Sequence, residues 1–345
     1  MMKLLHSADW HLDAPLLGFS PEETAQLKAA LLELPAKIVR TAREHGCDLL
    51  LLSGDLFDGA YSPETLLILQ RALAEADIPV CIAPGNHDPM GPQSPWAQPG
   101  WSKNVHIFKG GMESLLLPEL NCRVYGAAFL GSDSQPLLEG FRADCSEQYA
   151  VGVFHGDPLT PQSGKNAITR HQVASCALDY LALGHIHKGD MFREGGTLCA
   201  WPGCPMGRGF DETGEKGVLL VTLDGDARAE FLPLDTPRFY RLKSNPAALA
   251  DLLPAAFTRD HYRVELTGES EPVDLAALQA AFPHIPNLTL RDQTVPPIDL
   301  WANAGSDSLE GVFFDLLRNS EEDPETVQLA ARISRQLLLG REVAL

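Results

Sequence analysis

Eight short side chains bearing carboxylate, amide or imidazole groups punctuate this chain: Asp9 and His11, Asp55, Asn86 and His87, His155, and His185 and His187. They follow five apolar runs of strand length. The plainest is residues 78–83, where Pro84 and Gly85 turn the backbone into Asn86-His87-Asp88. Open α/β sheets deliver polar groups into a crevice at the carboxyl ends of their strands, and glycine permits a sharp turn there. The donors are oxygens and imidazole nitrogens with no thiol, a set suited to Mn²⁺, Fe²⁺ or Zn²⁺ rather than to a thiolate-bound metal. In Asp9-x-His11 and His185-x-His187 the partners are two residues apart, so on an extended backbone both point the same way. Such a pair grips one cation or reaches two neighbouring ones. Asp55 can offer one oxygen to each of two cations, the bridging that holds metals about 3.5–4 Å apart in hydrolytic sites. A lone strand-end histidine is ordinarily structural and a Gly-Asn pair ordinarily a turn. Eight such residues after five strand-like runs point to a site.

The elements that must position these residues are readable in outline. Runs at 3–5, 48–52 and 78–83 are strands, the second apolar throughout and expected to be buried on both faces. Between the first two, Pro21-Glu22-Glu23 opens a helix with Leu27, Leu31, Leu34, Ile38 and Ala42 on one side, closing at His45-Gly46; Pro35 is expected to kink or split it. A second helix runs from Pro63 to Ala76, which makes a βαβαβ unit with right-handed crossovers. Residues 89–101 read as a loop bordering the site. Further strand candidates are 104–108, 114–117, 122–128, 149–154 and 179–183, with 157–171 a polar loop and Trp201–Pro205 a turn. A hairpin of 217–223 and 227–232 closes around Asp224-Gly225.

The Pro-bearing stretch 234–238 is the expected boundary, giving domains at 1–236, 237–303 and 304–345. The second mixes a helix (275–282) with strands at 262–266 and 288–291. The third holds helices at 307–319 and 324–340, the latter with Val327, Ala331, Ile333, Leu337 and Leu338 on one side.

At 345 residues the chain is long enough for roughly two domains. No apolar run approaches the roughly 20 residues of a membrane span, and the N-terminus lacks a signal-peptide pattern, so a cytoplasmic location is expected. Seven cysteines, at 47, 81, 122, 145, 176, 199 and 204, are scattered without a C-x-x-C pair, which argues against a disulfide framework or structural zinc. The net charge of −19 opposes nonspecific adhesion to nucleic acid; it is compatible with a carboxylate-rich metal site and with a basic partner or a locally basic groove.

The ordered motifs Asp9-x-His11, Gly54-Asp55, Gly85-Asn86-His87-Asp88, His155 and Gly184-His185-x-His187 resemble the signature of the calcineurin-like metallophosphoesterases. More narrowly, the sequences of residues 6–12, 54–58 and 201–205 resemble those of SbcD-type DNA-repair exonucleases, and the His-Leu-Asp-x-Pro stretch at 11–15 is similar to the YhaO-like branch. The resemblance covers residues 6–205.

It implies an α/β fold of the α+β sandwich type: two packed mixed β-sheets flanked by helices, with a small C-terminal α+β capping domain and terminal helices. It implies two divalent cations, Mn²⁺ first, with Fe²⁺ or Zn²⁺ as alternatives. Asp9, His11 and His187 would hold one, Asn86, His155 and His185 the other, and Asp55 would bridge. His87 would face the scissile phosphate and stabilise or protonate the leaving oxygen, a task for an imidazole near neutral pH. Asp88, Asp58 and Asp13 would orient imidazoles from behind. For the substrate phosphate, Lys165, Arg170, Lys188 and Arg208 lie near the motifs in sequence. The implied substrate is DNA and the implied partner an SbcC-like coiled-coil ATPase docked on the C-terminal helices, with a homodimer expected on the same ground. The alternatives are a phosphodiesterase or phosphatase on small phosphoesters or cyclic nucleotides, and a mainly scaffolding subunit of such an ATPase.

Overall fold

A computed structural model describes residues 1–144 and 146–340; Cys145 and the end of the expected terminal segment, 341–345, lie outside the described residues. In chain order the elements begin β1 (Met2–Ser7), α1 (Pro21–Glu44), β2 (Leu49–Leu52), α2 (Pro63–Ala74), β3 (Val80–Ile82), β4 (Val105–Ile107), β5 (Glu113–Leu117), β6 (Cys122–Gly126) and β7 (Tyr149–His155). They continue α3 (Arg170–Ser175), β8 (Tyr180–Gly184), β9 (Lys188–Glu194), β10 (Thr197–Gly203), β11 (Gly217–Asp224) and β12 (Asp226–Pro233). The remainder is β13 (Phe239–Ser244), α4 (Leu249–Leu252), β14 (His261–Leu266), α5 (Leu275–Ala280), β15 (Leu288–Asp292), α6 (Leu309–Arg318) and α7 (Pro324–Leu338).

β1 to β12 build two six-stranded mixed sheets flanked by helices, as the resemblance implies. The first runs β12-β11-β1-β2-β3-β4 and the second β5-β6-β7-β8-β10-β9. β1 to β4 are parallel, with the hairpin β11–β12 antiparallel beside β1. Period-2 alternation explains the layering. Leu49 and Leu51 face the second sheet, among Val124, Val151, Val153 and Ala182. Leu50 and Leu52 face the helices, among Leu27, Leu34, Ile38 and Leu69. The outer face of the second sheet is covered separately, by Val173, Cys176 and Leu138 on Phe154, Leu181 and Leu183.

Three expectations are corrected. α1 is continuous through Pro35: the ring is buried on the core side, where contacts offset one missing backbone bond. Trp201-Pro202-Gly203 is the end of β10 rather than a turn. The β10–β8 pairing covers only Leu198–Ala200, so the missing N–H of Pro202 falls outside it. Arg170 and His171 open α3 rather than belonging to a loop, with Thr169 and Gln172 forming a capping box. The six described cysteines are all buried thiols.

The chain divides into two compact units: Met1–Tyr240 with Arg259–His261, and Arg241–Thr258 with Tyr262 onward. The second holds most of the sheet β13-β14-β15, with β14 and β15 parallel. In the same unit Arg335 of α7 lies 3.7 Å above the Phe314 ring of α6 and pairs with Glu310. Leu309, Leu316, Leu337 and Leu338 of these helices remain exposed. No helix among the described residues is long and apolar enough to cross a membrane.

Candidate metal centre

The loops after β1 and β2 run side by side: the Asp9 and His11 N–H groups donate to the carbonyls of Gly54 and Asp55, each at 3.0 Å, and Leu12 N–H donates to Leu56 at 2.8 Å. Asp9, His11 and Asp55 all occupy the left-handed region, with φ of 56°, 49° and 52°, and His185 sits at 96°. The expectation that the paired residues point together along an extended backbone is therefore corrected. A non-glycine residue held there costs of order 1–3 kcal/mol and persists where its surroundings over-determine it; here the loop-to-loop ladder and the sheets beneath do so.

Two glycines allow the loops to close in. A Cβ on Gly85 would lie 2.2 Å from Oδ1 of Asp55, and one on Gly184 would lie 2.1 Å from the Ser53 carbonyl oxygen and 3.0 Å from Nδ1 of His155. Gly85 serves close approach; its φ is not left-handed.

All seven expected ligands converge. Asp9, His11 and His187 bring ligand atoms within 4.8 Å of one another, and so do Asp55, His155 and His185. Oδ1 of Asn86 is 3.0 Å from Nε2 of His155 and 3.1 Å from Nδ1 of His185. Oδ2 of Asp55 lies between the groups, 3.2 Å from Nε2 of His155 and 3.9 Å from Nε2 of His11.

The outer nitrogens define what the inner ones can do. Nδ1 of His11 meets Asp58 at 2.9 Å, Nδ1 of His187 meets Glu212 at 2.7 Å, and Nδ1 of His155 meets the Ser53 carbonyl at 2.8 Å. These partners only accept, so Nδ1 carries the proton in each neutral ring and Nε2 presents a lone pair. The Nε2 atoms of His11 and His187 then face each other at 3.1 Å. That of His155 faces a carboxylate and an amide oxygen. Converging lone pairs without a donor between them fit divalent cations, and the hard-to-borderline donor set agrees.

Electrostatics carry the same imprint. Burial disfavours a charge on His155, yet the Asp55 carboxylate outweighs it and holds the imidazole up to about 9. Burial alone would raise Asp55, but His155 and His11 bring it well below the usual carboxylate range. His185 is pushed down to about 4, by burial first and then by the positive field of His155. Burial would likewise raise Glu212, but its bonds to His187 and Arg208 hold it far below the ordinary range.

His87 is half-exposed, with Nδ1 2.9 Å from the same Asp58 oxygen that serves His11 and its ring perpendicular to that of His11 at 4.9 Å. Asp58 thus couples a ligand to the residue expected to face the substrate, and Nε2 of His87 is the atom left for that task. Two other expectations are corrected. Asp88 steers no imidazole: its carboxylate accepts backbone N–H groups of Gly85, Asp55, Leu56 and Phe57, tying the β2 and β3 loops together. Asp13 accepts from Ser62 N–H and Thr65 Oγ1, holding the start of α2. A carboxylate beside unpaired loop or helix-end N–H groups is drawn to them first.

Of the basic candidates, Arg208 belongs to the site. It donates to Glu212 at 2.7 Å and its Nη2 is 3.3 Å from Nδ1 of His187. Lys165 instead pairs with Asp133, and Arg170 pairs with Glu194 and stacks over Phe192. Lys188 is exposed at the head of β9. Sequence reasoning missed Glu212, which lies 25 residues beyond its imidazole, and the Ser53 carbonyl. It also missed Asn166, whose amide donates to the His155 carbonyl. A Glu four residues after Arg208 was the one available signal.

The model of the calcineurin-like phosphoesterase superfamily domain matches residues 2–226. The chain belongs to that superfamily. The uncharacterized metallophosphoesterase YhaO of Bacillus subtilis (strain 168) is 31% identical over 254 residues, 67% of this chain and 60% of that protein. The chain thus spans about 60% of that relative's length. Solved structures similar over 67% of the chain include a dimetal phosphatase from Danio rerio, 13% identical with a TM-score of 0.46 over 98% of that chain. A protein of Thermus thermophilus is 14% identical with a TM-score of 0.41, also over 98% of its chain. The metallophosphoesterase fold implies divalent metal ions, and the two groups described above are candidates to hold them.

Proposed function

We propose that this metallophosphoesterase cleaves phosphodiesters in DNA, as a nuclease of the SbcD type. The observation that carries the phosphodiesterase reading is the half-exposed His87, backed by Asp58, standing beside two ligand groups with the Asp55 carboxylate between them. When bound, two divalent cations, Mn²⁺ first among them, supply a nucleophile from water at neutral pH and neutralise phosphoryl charge. Asp9, His11 and His187 would hold one ion and Asn86, His155 and His185 the other, with Asp55 placed to serve either. Asp58 fixes the His87 tautomer so that Nε2 addresses the leaving oxygen, which a protonated imidazole converts into a hydroxyl.

The motifs at 6–12, 54–58 and 201–205 support DNA as the substrate. The acidic balance is reconciled if DNA arrives through an SbcC-like ATPase seated on the exposed apolar residues of α6 and α7, Leu309, Leu316, Leu337 and Leu338. The pairing of Lys165 and Arg170 with local carboxylates favours the second reading, a small phosphoester as substrate.

A substrate panel tests this: linear duplex and single-stranded DNA, bis-p-nitrophenyl phosphate and cyclic nucleotides, with Mn²⁺, Fe²⁺ or Zn²⁺. DNA degradation is expected, with His87→Ala losing about 10²–10⁴-fold in rate, the range for a positioned proton donor. Turnover of the small esters with intact DNA would overturn the nuclease reading. A fully active His87→Ala would overturn the role of that imidazole.

A further inference from the structure

A cavity of about 670 Å³ opens beside the ligand groups, with His187 on its edge. That volume is in the range of small-molecule sites. Its apolar lining includes Trp201, Leu219, Met191 and Phe231, of which the last two present exposed surface. Two lysines, Lys188 and Lys216, and four acidic residues, Asp190, Asp211, Glu212 and Glu215, join them. The second lysine is unusual. Lys216 is only 6% exposed, and its ammonium makes one bond at the limit of reach, 3.5 Å to the carbonyl of His187. Among the described residues no carboxylate oxygen lies within 4.0 Å of it. The neighbouring acids are engaged elsewhere: Glu212 with Arg208 and His187, and Glu215 with Arg238. Asp190 and Asp211 are exposed to water. A buried ammonium is costly unless paired with an anion, and here the anion is missing from the protein itself.

The cavity's edge is a residue that would hold a cation at the scissile phosphate, so whatever is esterified to that phosphate lies within reach of it. We propose that the cavity is a subsite for the neighbouring nucleotide, its base against Met191 and Phe231 and its outer phosphate on Lys216. This rests on the nucleic-acid reading above and adds that recognition extends to the next phosphate. The acidic chain would then take hold of a polyanion through a buried lysine rather than a basic surface.

The test uses the full chain loaded with Mn²⁺. Inhibition of bis-p-nitrophenyl phosphate turnover, and calorimetric titration as a second readout, compare thymidine 3′,5′-bisphosphate with the 3′- and 5′-monophosphates and with propane-1,3-diol bisphosphate. The nucleoside bisphosphate is expected to bind about tenfold tighter than the better monophosphate, the order of one charge-assisted hydrogen bond, and tighter than the baseless bisphosphate. Lys216→Met should erase the gain from the second phosphate and Lys216→Arg retain it, while Phe231→Ala should erase the gain from the base. Equal affinities in the wild-type chain would overturn the inference whatever the variants do, and so would a gain that survives Lys216→Met. Failure of the DNA assay alone would overturn the nuclease reading and leave the calorimetric result to decide the cavity.

Discussion

His11 and His187 lean on carboxylates, Asp58 at 2.9 Å and Glu212 at 2.7 Å, whereas His155 leans on the neutral carbonyl of Ser53 at 2.8 Å. Both kinds of brace fix the same tautomer. They differ in charge and in how the sequence can lose them. A carboxylate raises the basicity of its imidazole and is a side chain that one substitution removes. A carbonyl belongs to the backbone, so the brace on His155 is disturbed only by moving the chain at Ser53. One half of the centre is tunable; the other is built into the sheet ends.

The strongest way to break this contrast is to strike the backbone brace. Gly184→Ala would place a methyl 2.1 Å from the Ser53 oxygen. Overpacking of this kind costs about 1–3 kcal/mol or more, and because the displaced group holds His155, hydrolysis is expected to fall near background. Calorimetric melting and bis-p-nitrophenyl phosphate turnover read both. Wild-type activity in that variant would show that the carbonyl is dispensable.

Glu212→Gln keeps the volume and removes the charge. It is expected to weaken cation binding at the Asp9, His11 and His187 group by about 10–100-fold, leaving the other group unchanged. Two-site calorimetric titration distinguishes the halves, and equal weakening of both would refute their independence.

The smallest effect is one of pH on the metal-stripped chain. The native pKa of His155, about 9, lies above its ordinary value of 6.5. The Asp55–His155 attraction is therefore fully present below about pH 6.5 and lost as pH rises through 9. A fall of a few degrees in Tm across that window is expected. The same deprotonation frees Nε2, so cation affinity should rise over the same range. A Tm that climbs from about pH 6.5 to about 9 would contradict this.

The converging side chains were legible because each ends an apolar run and carries a letter that only polar chemistry explains. The parallel strands of the first sheet were legible for the same reason, Leu49 to Leu52 being buried on two faces. The braces were not. Ser53 acts through a backbone atom, which no residue type announces, and Glu212 is distant from its imidazole without a spacing rule. The resemblance implied Asp88 and Asp13 as partners for imidazoles, but nearby backbone N–H groups and the Thr65 hydroxyl claim them. β9 was hidden because Lys188–Glu194 is an exposed edge strand with little apolar content. The end of β10 was hidden because Pro and Gly ordinarily punctuate turns.

Each ligand group draws from both sheets. Asp9, His11, Asp55 and Asn86 follow strands of the first, while His155, His185 and His187 end or follow strands of the second. A cation seated among them is therefore also a rivet through the sandwich, and its binding energy is folding energy. At a free concentration of one hundred times its dissociation constant, one ion adds about 2.7 kcal/mol to the folded state. The melting temperature of this protein becomes a gauge of how much metal its surroundings supply, and scarcity would be registered as a loosening of the whole catalytic unit before any substrate is met.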